Sequence, residues 1–376
     1  MLIGYVTAGT GHRRAAEALA QAVRARDPQA EVACLDVLAD APGRFAAFYD
    51  RTYLLMVRHL SGVWKLSYGL LDQPWVYRLV QPLRRRWNRW IARRFIDRVK
   101  AWRPDVVLAT HFLPADLCNT GRAGGWLSAP LVVVVTDWHP HRFWLAPAAD
   151  AMVVSTAHAA AVLERRGIAR DRIRVVGIPI GRAFLQPPAP AALRRRFALQ
   201  PGRQTVLVTS GGTTVGQFAR VVRALAELER VIPGRLQLVV VCGEDHAMQR
   251  RLGRFAQTCA MPMRVFDFVD FMAELMAVSD LAVAKAGGLT VSEALSCGLP
   301  LVLYHVIPGQ ERLNAAYVER HGAARIARGP GEVAARVREL IGQPTRLAAM
   351  RAAARTLSHP DAAARIISEI VEPLAR

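Results

Sequence analysis

Short apolar runs separated by helix-length spacers recur along nearly the whole chain. They lie at Leu2–Val6, Glu31–Leu35, Val106–Ala109, Leu131–Thr136, Ala151–Val154 and Ile173–Val176. A second set follows at Gln204–Thr209, Leu236–Cys242, Met263–Phe266, Leu281–Ala284 and Pro300–Tyr304. Runs that are apolar throughout, rather than alternating, read as strands buried on both faces, and the spacers carry the helices that cover them. The pattern predicts βαβ units forming two doubly wound parallel sheets, an α/β class. Between the two sets, Ile178-Pro-Ile-Gly and Gln186-Pro-Pro-Ala-Pro can continue neither helix nor sheet. The expected division is a first domain over 1–178, a linker over 179–190 and a second domain over 191–358. A closing amphipathic helix over 359–376, interrupted at Pro373, is expected to pack back on the first domain.

The segment 45–103 breaks this rhythm. It is helical in pattern and holds Trp64, Trp75, Trp87, Trp90 and Trp102, five of the eight tryptophans. Between Arg51 and Arg103 stand thirteen Lys/Arg and only two acids, Asp72 and Asp97. Arg85, Arg86, Trp87, Trp90 and Arg93 fall in its densest part. Interleaved Arg and Trp suit an anionic membrane surface, where Trp sits at headgroup level and Arg pairs with phosphate. A packed helix with a solvated basic face is the plainer reading, and single-stranded nucleic acid the least favoured.

Charge extends the same theme to the whole chain of 376 residues, with 50 Lys+Arg against 30 Asp+Glu. A net charge of +20 predicts an anionic partner or substrate, although an Arg-rich proteome also raises the count. The five cysteines are scattered with no CxxC pair, so neither a disulfide framework nor a zinc site is expected. No signal-peptide pattern opens the chain, and the uncharged run Ala123–Thr136 is shorter than the ~20 residues of a spanning helix. The expectation is a cytoplasmic protein, peripheral on the inner face of the cell membrane.

Four clusters carry candidate chemistry. Thr7-Ala-Gly-Thr-Gly-His12 follows the first strand, where Gly11 lets a ligand approach the backbone and His12 titrates near neutrality. It is not a dinucleotide fingerprint, because position 14 is arginine. Thr136-Asp-Trp-His-Pro-His-Arg-Phe-Trp144 follows the fourth strand, placing Asp137, His139, His141 and Trp144 at a carboxyl end, where open sheets bind ligands. Metal binding by Asp137 and the two histidines lacks a supporting third cluster, and an aspartate that orients a catalytic histidine is more economical. Ser210, Gly211 and Gly212 lie after the first strand of the second set, at an expected helix start suited to a diphosphate, without the Lys of a P-loop. Last, Ala284-Lys-Ala-Gly-Gly-Leu-Thr-Val-Ser-Glu293 is a strand, a glycine turn at Gly287 and Gly288, and a helix expected to begin near Thr290. That geometry aims the N–H groups of Leu289 and Thr290 at a pyrophosphate and lets Glu293 accept from a ribose. Gln310 and Glu311 follow, with an amide and a carboxylate able to grip sugar hydroxyls.

At these residues the chain strongly resembles the monogalactosyldiacylglycerol synthase and processive diacylglycerol glucosyltransferase family, a group that includes the lipid I N-acetylglucosaminyltransferase. The GTGH turn, TDWHPHRFW, Phe268-Val-Asp270, AGGLTVSEALSCGLP and PGQERLNA carry the resemblance. It implies a GT-B fold: two Rossmann-like domains facing a cleft, a lipid acceptor on the first and a UDP-sugar on the second. It also implies inverting hexosyl transfer with no metal required for catalysis, and diacylglycerol as acceptor. Carried over by motif, His12 is the base and Asp137 lies by the acceptor hydroxyl. Phe268 and Val269 lie by the uracil, Glu293 on the ribose, Gly288, Leu289 and Thr290 on the diphosphate, and Gln310 and Glu311 on the hexose. The chain departs from the family pattern at Ala286, Asp267 and Phe271, where proline, glycine and asparagine are usual. The alternatives are a UDP-sugar-dependent transferase with a different acceptor or a UDP-sugar epimerase on the same fold, and a non-catalytic lipid-binding protein on a degenerate scaffold. No nucleic acid is expected as a partner.

Overall fold

The computed structural model describes residues 1–7, 10–39, 41, 61–212, 214 and 216–375, with the backbone alone at 61, 64 and 65. The part of the 45–103 segment before residue 61 therefore lies outside the described residues. The chain forms two compact units. One is Met1–Arg182 with Pro308–Gln310 and His359–Arg376; the other is Ala183–Ile307 with Glu311–Ser358.

In the first unit six parallel strands, β1 (Leu2–Tyr5), β2 (Ala33–Asp36), β3 (Val107–Ala109), β4 (Leu131–Val134), β5 (Ala151–Val154) and β6 (Ile173–Val175), run in the order β2-β1-β3-β4-β5-β6. Alternate strand residues feed opposite faces. Ile3, Leu108, Val132, Val134 and Val153 pack with Leu19 and Val23 of the helix Gly11–Arg26. Leu2, Val107, Leu131, Val133 and Met152 pack with Phe95, Val99 and Leu117 on the other side. Both faces are covered, as continuous apolar runs require.

The chain's end completes the first of these cores through Ala362, Ile366, Ile367, Ile370 and Val371. Pro373 has no N–H for the carbonyl of Glu369, and the preceding turn, Ile366–Val371, is wound as a π-helix. Entry of this tail depends on Gly177. Its φ is +114°, and a Cβ there would stand 2.4 Å from Cβ of His359.

In the second unit β7 (Gln204–Thr209), β8 (Leu236–Val241), β9 (Met263–Phe266), β10 (Leu281–Ala284), β11 (Leu301–Tyr304) and β12 (Ala324–Ala327) are parallel, ordered β12-β11-β10-β7-β8-β9. Strand β12 escapes sequence reading because it is an edge strand of four residues with Arg325 in its middle. The segment 61–103 is three helices, Ser61–Leu71, Pro74–Ile91 and Arg93–Trp102.

The strand order of each sheet reverses once. In the first unit the reversal lies between β1 and β3, and in the second between β7 and β10. Ligands of open α/β sheets bind beyond the carboxyl ends of the strands at such points. The turns and helix starts there carry His12, Thr110, Ser210–Gly212 and Lys285–Gly288.

Candidate functional site

In the first unit the site is built around the His12 ring. Its Nδ1 stands 2.9 Å from the carbonyl oxygen of Thr110, just beyond β3, and 2.9 Å from Oγ1 of Thr136, just beyond β4. A carbonyl oxygen only accepts, so Nδ1 carries the proton and donates to it. The lone pair is therefore on Nε2, the tautomer a general base needs. Thr110 Oγ1 donates in turn to the His12 carbonyl at 3.0 Å, fixing backbone and ring together. His111 meets the ring edge-on at 4.6 Å between centroids, and its own Nδ1 accepts the N–H of Leu113 to cap the next helix. Burial pushes the His12 pKa down to about 4, against a smaller opposing effect of the Thr110 hydrogen bond.

A base with that pKa is neutral across the physiological range. The acid limb of kcat/KM, which reports the free enzyme, is expected near pH 4, with a flat profile from about pH 5 to 7. A measured limb near the ordinary histidine value would show that His12 is not the titrating base.

The histidine's orienting partners are thus a carbonyl and a hydroxyl, not Asp137. The Asp137 carboxylate is buried and receives the indole N–H of Trp144 at 3.0 Å. Trp144 is itself among the largest fully buried side chains, so it holds Asp137 rather than facing solvent. His141 is buried as well, accepting the Phe143 N–H on Nδ1 at 3.2 Å and donating from Nε2 to the Tyr68 carbonyl at 3.1 Å. Asp72 braces the same loop. It accepts the Arg142 N–H at 2.9 Å and the Arg166 guanidinium at 2.6 Å. His139 pairs with His158 at 3.3 Å. Among the described residues no group of three or more His, Cys, Asp or Glu is placed to hold a metal ion.

In the second unit the turn after β10 opens the helix Gly288–Ser296, capped at Gly287 without a side-chain bond. The helix begins two residues earlier than sequence spacing predicts. The N–H groups of Gly288, Leu289 and Thr290 are therefore all in its first turn, where no intrahelical acceptor exists. Glu293 is buried on that helix, and Asn314 Nδ2 donates to the Ala286 carbonyl at 3.0 Å to hold the turn. Val269 is buried and Phe268 exposed on the segment after β9. Of the two departures there, Asp267 pairs with His246 at 3.1 Å and Phe271 stacks on Phe197 at 5.5 Å.

The loop Ser210–Gly212 differs from expectation, since no helix starts there; the next one begins at Phe218. Instead the loop packs on the turn after β8, where the Glu244 N–H donates to the Gly212 carbonyl at 2.8 Å. Gly243 makes this approach possible. Its φ is +62°, and a Cβ would stand 2.3 Å from the Gly212 oxygen.

Glu311 is more buried than a sugar-facing carboxylate need be. Its Oε2 accepts the Ile307 N–H at 3.1 Å and its Oε1 lies 3.6 Å from Nζ of Lys285. Lys285, Thr110 and Thr136 are contributors that sequence reading passes over. Lys285 stands one residue past β10, beside the glycine turn, and is the cation best placed by chain position to meet a diphosphate there. The signal was available: a lysine at the carboxyl end of a central strand, next to glycines.

Both units resemble known proteins. Residues 12–180 match the family model for monogalactosyldiacylglycerol (MGDG) synthase, and residues 205–366 the model for the glycosyltransferase family 28 C-terminal domain. A processive diacylglycerol beta-glucosyltransferase of Bacillus thuringiensis (strain Al Hakam) is 31% identical over 274 residues, covering 73% of this chain and 69% of the relative. The protein of that description from Bacillus mycoides (strain KBAB4) is 27% identical over 367 residues, 96% of this chain and 91% of its own. Among solved structures, MurG of Acinetobacter baumannii superposes with a TM-score of 0.61 at 16% identity, covering 99% of both chains, a likeness of fold.

Proposed function

Because the chain belongs to the processive diacylglycerol beta-glucosyltransferase family, we propose that it transfers glucose from UDP-glucose to the hydroxyl of diacylglycerol in a membrane. The observation that carries this reading is the His12 tautomer, with Nδ1 donating to Thr110 and Nε2 left to accept a proton. Nε2 takes the proton of the acceptor hydroxyl as its oxygen bonds to the anomeric carbon. The bond from that carbon to the UDP oxygen breaks, and UDP leaves with the electron pair. One such displacement converts an alpha-linked donor to the beta-linked product in the relatives' name. The first-turn amides of Gly288, Leu289 and Thr290, together with Lys285, stabilise the charge that grows on the diphosphate. Glu293 takes the ribose hydroxyls, Phe268 and Val269 the base, and Gln310 the hexose. Asp137, held by Trp144, is assigned to the acceptor side.

The direct test supplies UDP-glucose and diacylglycerol in anionic vesicles and measures UDP release and glycolipid. Release of glucose without glycolipid, or no turnover, overturns the reading. Since charge neutralisation falls to Lys285 and backbone amides, EDTA is expected to leave turnover unchanged. Loss of activity on chelation, restored by a divalent cation, would contradict that assignment. Lys285→Ala is expected to weaken UDP binding by about tenfold or more, the weight of a charge-assisted hydrogen bond. Titration calorimetry with UDP reads this, and unchanged affinity would remove Lys285 from the donor site.

A membrane carries the acceptor, and the helix Pro74–Ile91 is suited to meet one. Trp75, Leu79, Leu83, Trp87 and Trp90 are exposed along it, with Arg78, Arg86 and Arg89 alongside. Val63, Leu66 and Leu70 are exposed on the helix before it. Among the described residues no helix is long and apolar enough to cross a membrane. The arrangement supports peripheral docking on the anionic inner face of the cell membrane, with Trp at headgroup level and Arg on lipid phosphate.

A further inference from the structure

The helix Pro74–Ile91 is turned inside out relative to an ordinary surface helix. Its apolar stripe, Trp75, Leu79, Leu83, Trp87 and Trp90, recurs every three or four residues, and Leu79 and Leu83 are 74% and 72% exposed. Polar side chains take inward positions instead: Gln81 and Asn88 are buried, with Arg84 between them largely covered, and Ile91 is the apolar residue buried with them at the helix end. The hydrophobic effect alone would roll such a helix to put the stripe against the core.

One buried carboxylate opposes that roll. Asp116, on the helix Phe112–Ala123, is 2% exposed. Its Oδ1 accepts Gln81 Nε2 at 3.3 Å and its Oδ2 accepts Asn88 Nδ2 at 3.1 Å. Arg84 Nη2 stands 3.1 Å and Arg85 Nε 3.5 Å from Oδ1. Positions 81, 84, 85 and 88 are spaced by three, one and three, which places them on one helix face. Rolling the helix would strip this carboxylate of four partners at once and leave it buried and unpaired.

We propose that Asp116 is a positioning residue of the acceptor site, a polar pin that fixes the roll of the helix and so keeps its apolar stripe facing the bilayer. The proposal rests on the membrane reading of that stripe. Arg84 also links the pin to the acceptor loop, its guanidinium lying 4.6 Å from the Phe143 ring centroid.

The experiment compares the wild-type chain with Asp116→Leu and Asp116→Asn, using vesicles of phosphatidylglycerol and phosphatidylcholine loaded with diacylglycerol. Asp116→Leu is expected to lower vesicle partitioning and raise the KM for diacylglycerol, each by about tenfold. The KM for UDP-glucose should change by less than about twofold, because the donor residues belong to the other unit or to other elements. Without vesicles, tryptophan emission should shift to shorter wavelength as the stripe turns inward. Asp116→Asn, which keeps shape and loses charge, should fall between, and it carries the test if Asp116→Leu does not fold. Folded variants with wild-type partitioning, emission and KM for diacylglycerol overturn the proposal. Failure of the wild type itself to bind vesicles instead overturns the membrane reading beneath it.

Discussion

Replacing His12 with alanine is expected to lower glucosyl transfer by about 10²–10⁴-fold, the usual weight of a positioned general base, while UDP binding is kept. The ring contributes through one atom. Its Nδ1 is committed to Thr110 and Thr136, and only Nε2 is free to take the proton. The amides and lysine assigned to the diphosphate are on other elements, the turn after β10 and the helix Gly288–Ser296, so donor affinity should not move. Thr136→Val serves as a companion variant. It removes one of the two groups at Nδ1 and leaves the carbonyl, so it should cost far less than loss of the ring, on the order of tenfold. The measurements are initial rates of glycolipid formation and calorimetry with UDP. Near-normal turnover by His12→Ala would assign the base elsewhere, and lost UDP binding would mean the substitution had disturbed the fold.

This site was half legible in the sequence. The glycine turn with His12 could be seen as a ligand-side loop, since a histidine directly after a strand and two glycines has few structural duties. Its partners could not be, because Thr110 and Thr136 lie 98 and 124 residues further on and meet it only through β3 and β4. By sequence an aspartate is the economical partner, whereas the fold supplies a backbone carbonyl and a hydroxyl, with Asp137 turned to Trp144. The donor side was more legible, because the strand, turn and helix from Leu281 to Ser296 are local and the glycines mark the turn. Long-range contacts leave no such mark in the sequence. The Ser210–Gly212 loop owes its shape to Gly243 and Glu244 on another strand's turn, not to a helix start of its own.

The membrane segment shows a different limit. Spacing in Pro74–Ile91 defines an apolar face and a polar face, but it does not say which one points inward. By default the apolar face is the buried one. The inversion is decided by Asp116, a residue that in sequence is one acid inside an otherwise unremarked helix, Phe-Leu-Pro-Ala-Asp. Only the fold reveals that this carboxylate is buried against Gln81, Asn88 and the two arginines.

Exposure of the stripe leads to the second large effect. Leu79→Glu combined with Leu83→Glu is expected to reduce association with anionic vesicles by roughly 10²–10⁴-fold. Each leucine moved from water into an apolar phase contributes about 1.5–3 kcal/mol, and the added carboxylates are repelled by anionic headgroups. The fold should tolerate both changes, because the two side chains are mostly solvent-exposed and glutamate favours helix. Transfer to diacylglycerol in vesicles should therefore collapse, while transfer to a short-chain diacylglycerol dissolved as monomers should persist. That split separates membrane docking from chemistry, because a variant damaged at His12 or Glu293 would lose both. Co-sedimentation at low and moderate salt adds a further discriminator. Arg78, Arg86 and Arg89 contribute a part that salt screens, whereas the leucine contribution is insensitive to it. If the double variant sediments with vesicles as well as the wild type does, the stripe is not the docking surface, and the arginines alone would have to bring the acceptor within reach of His12.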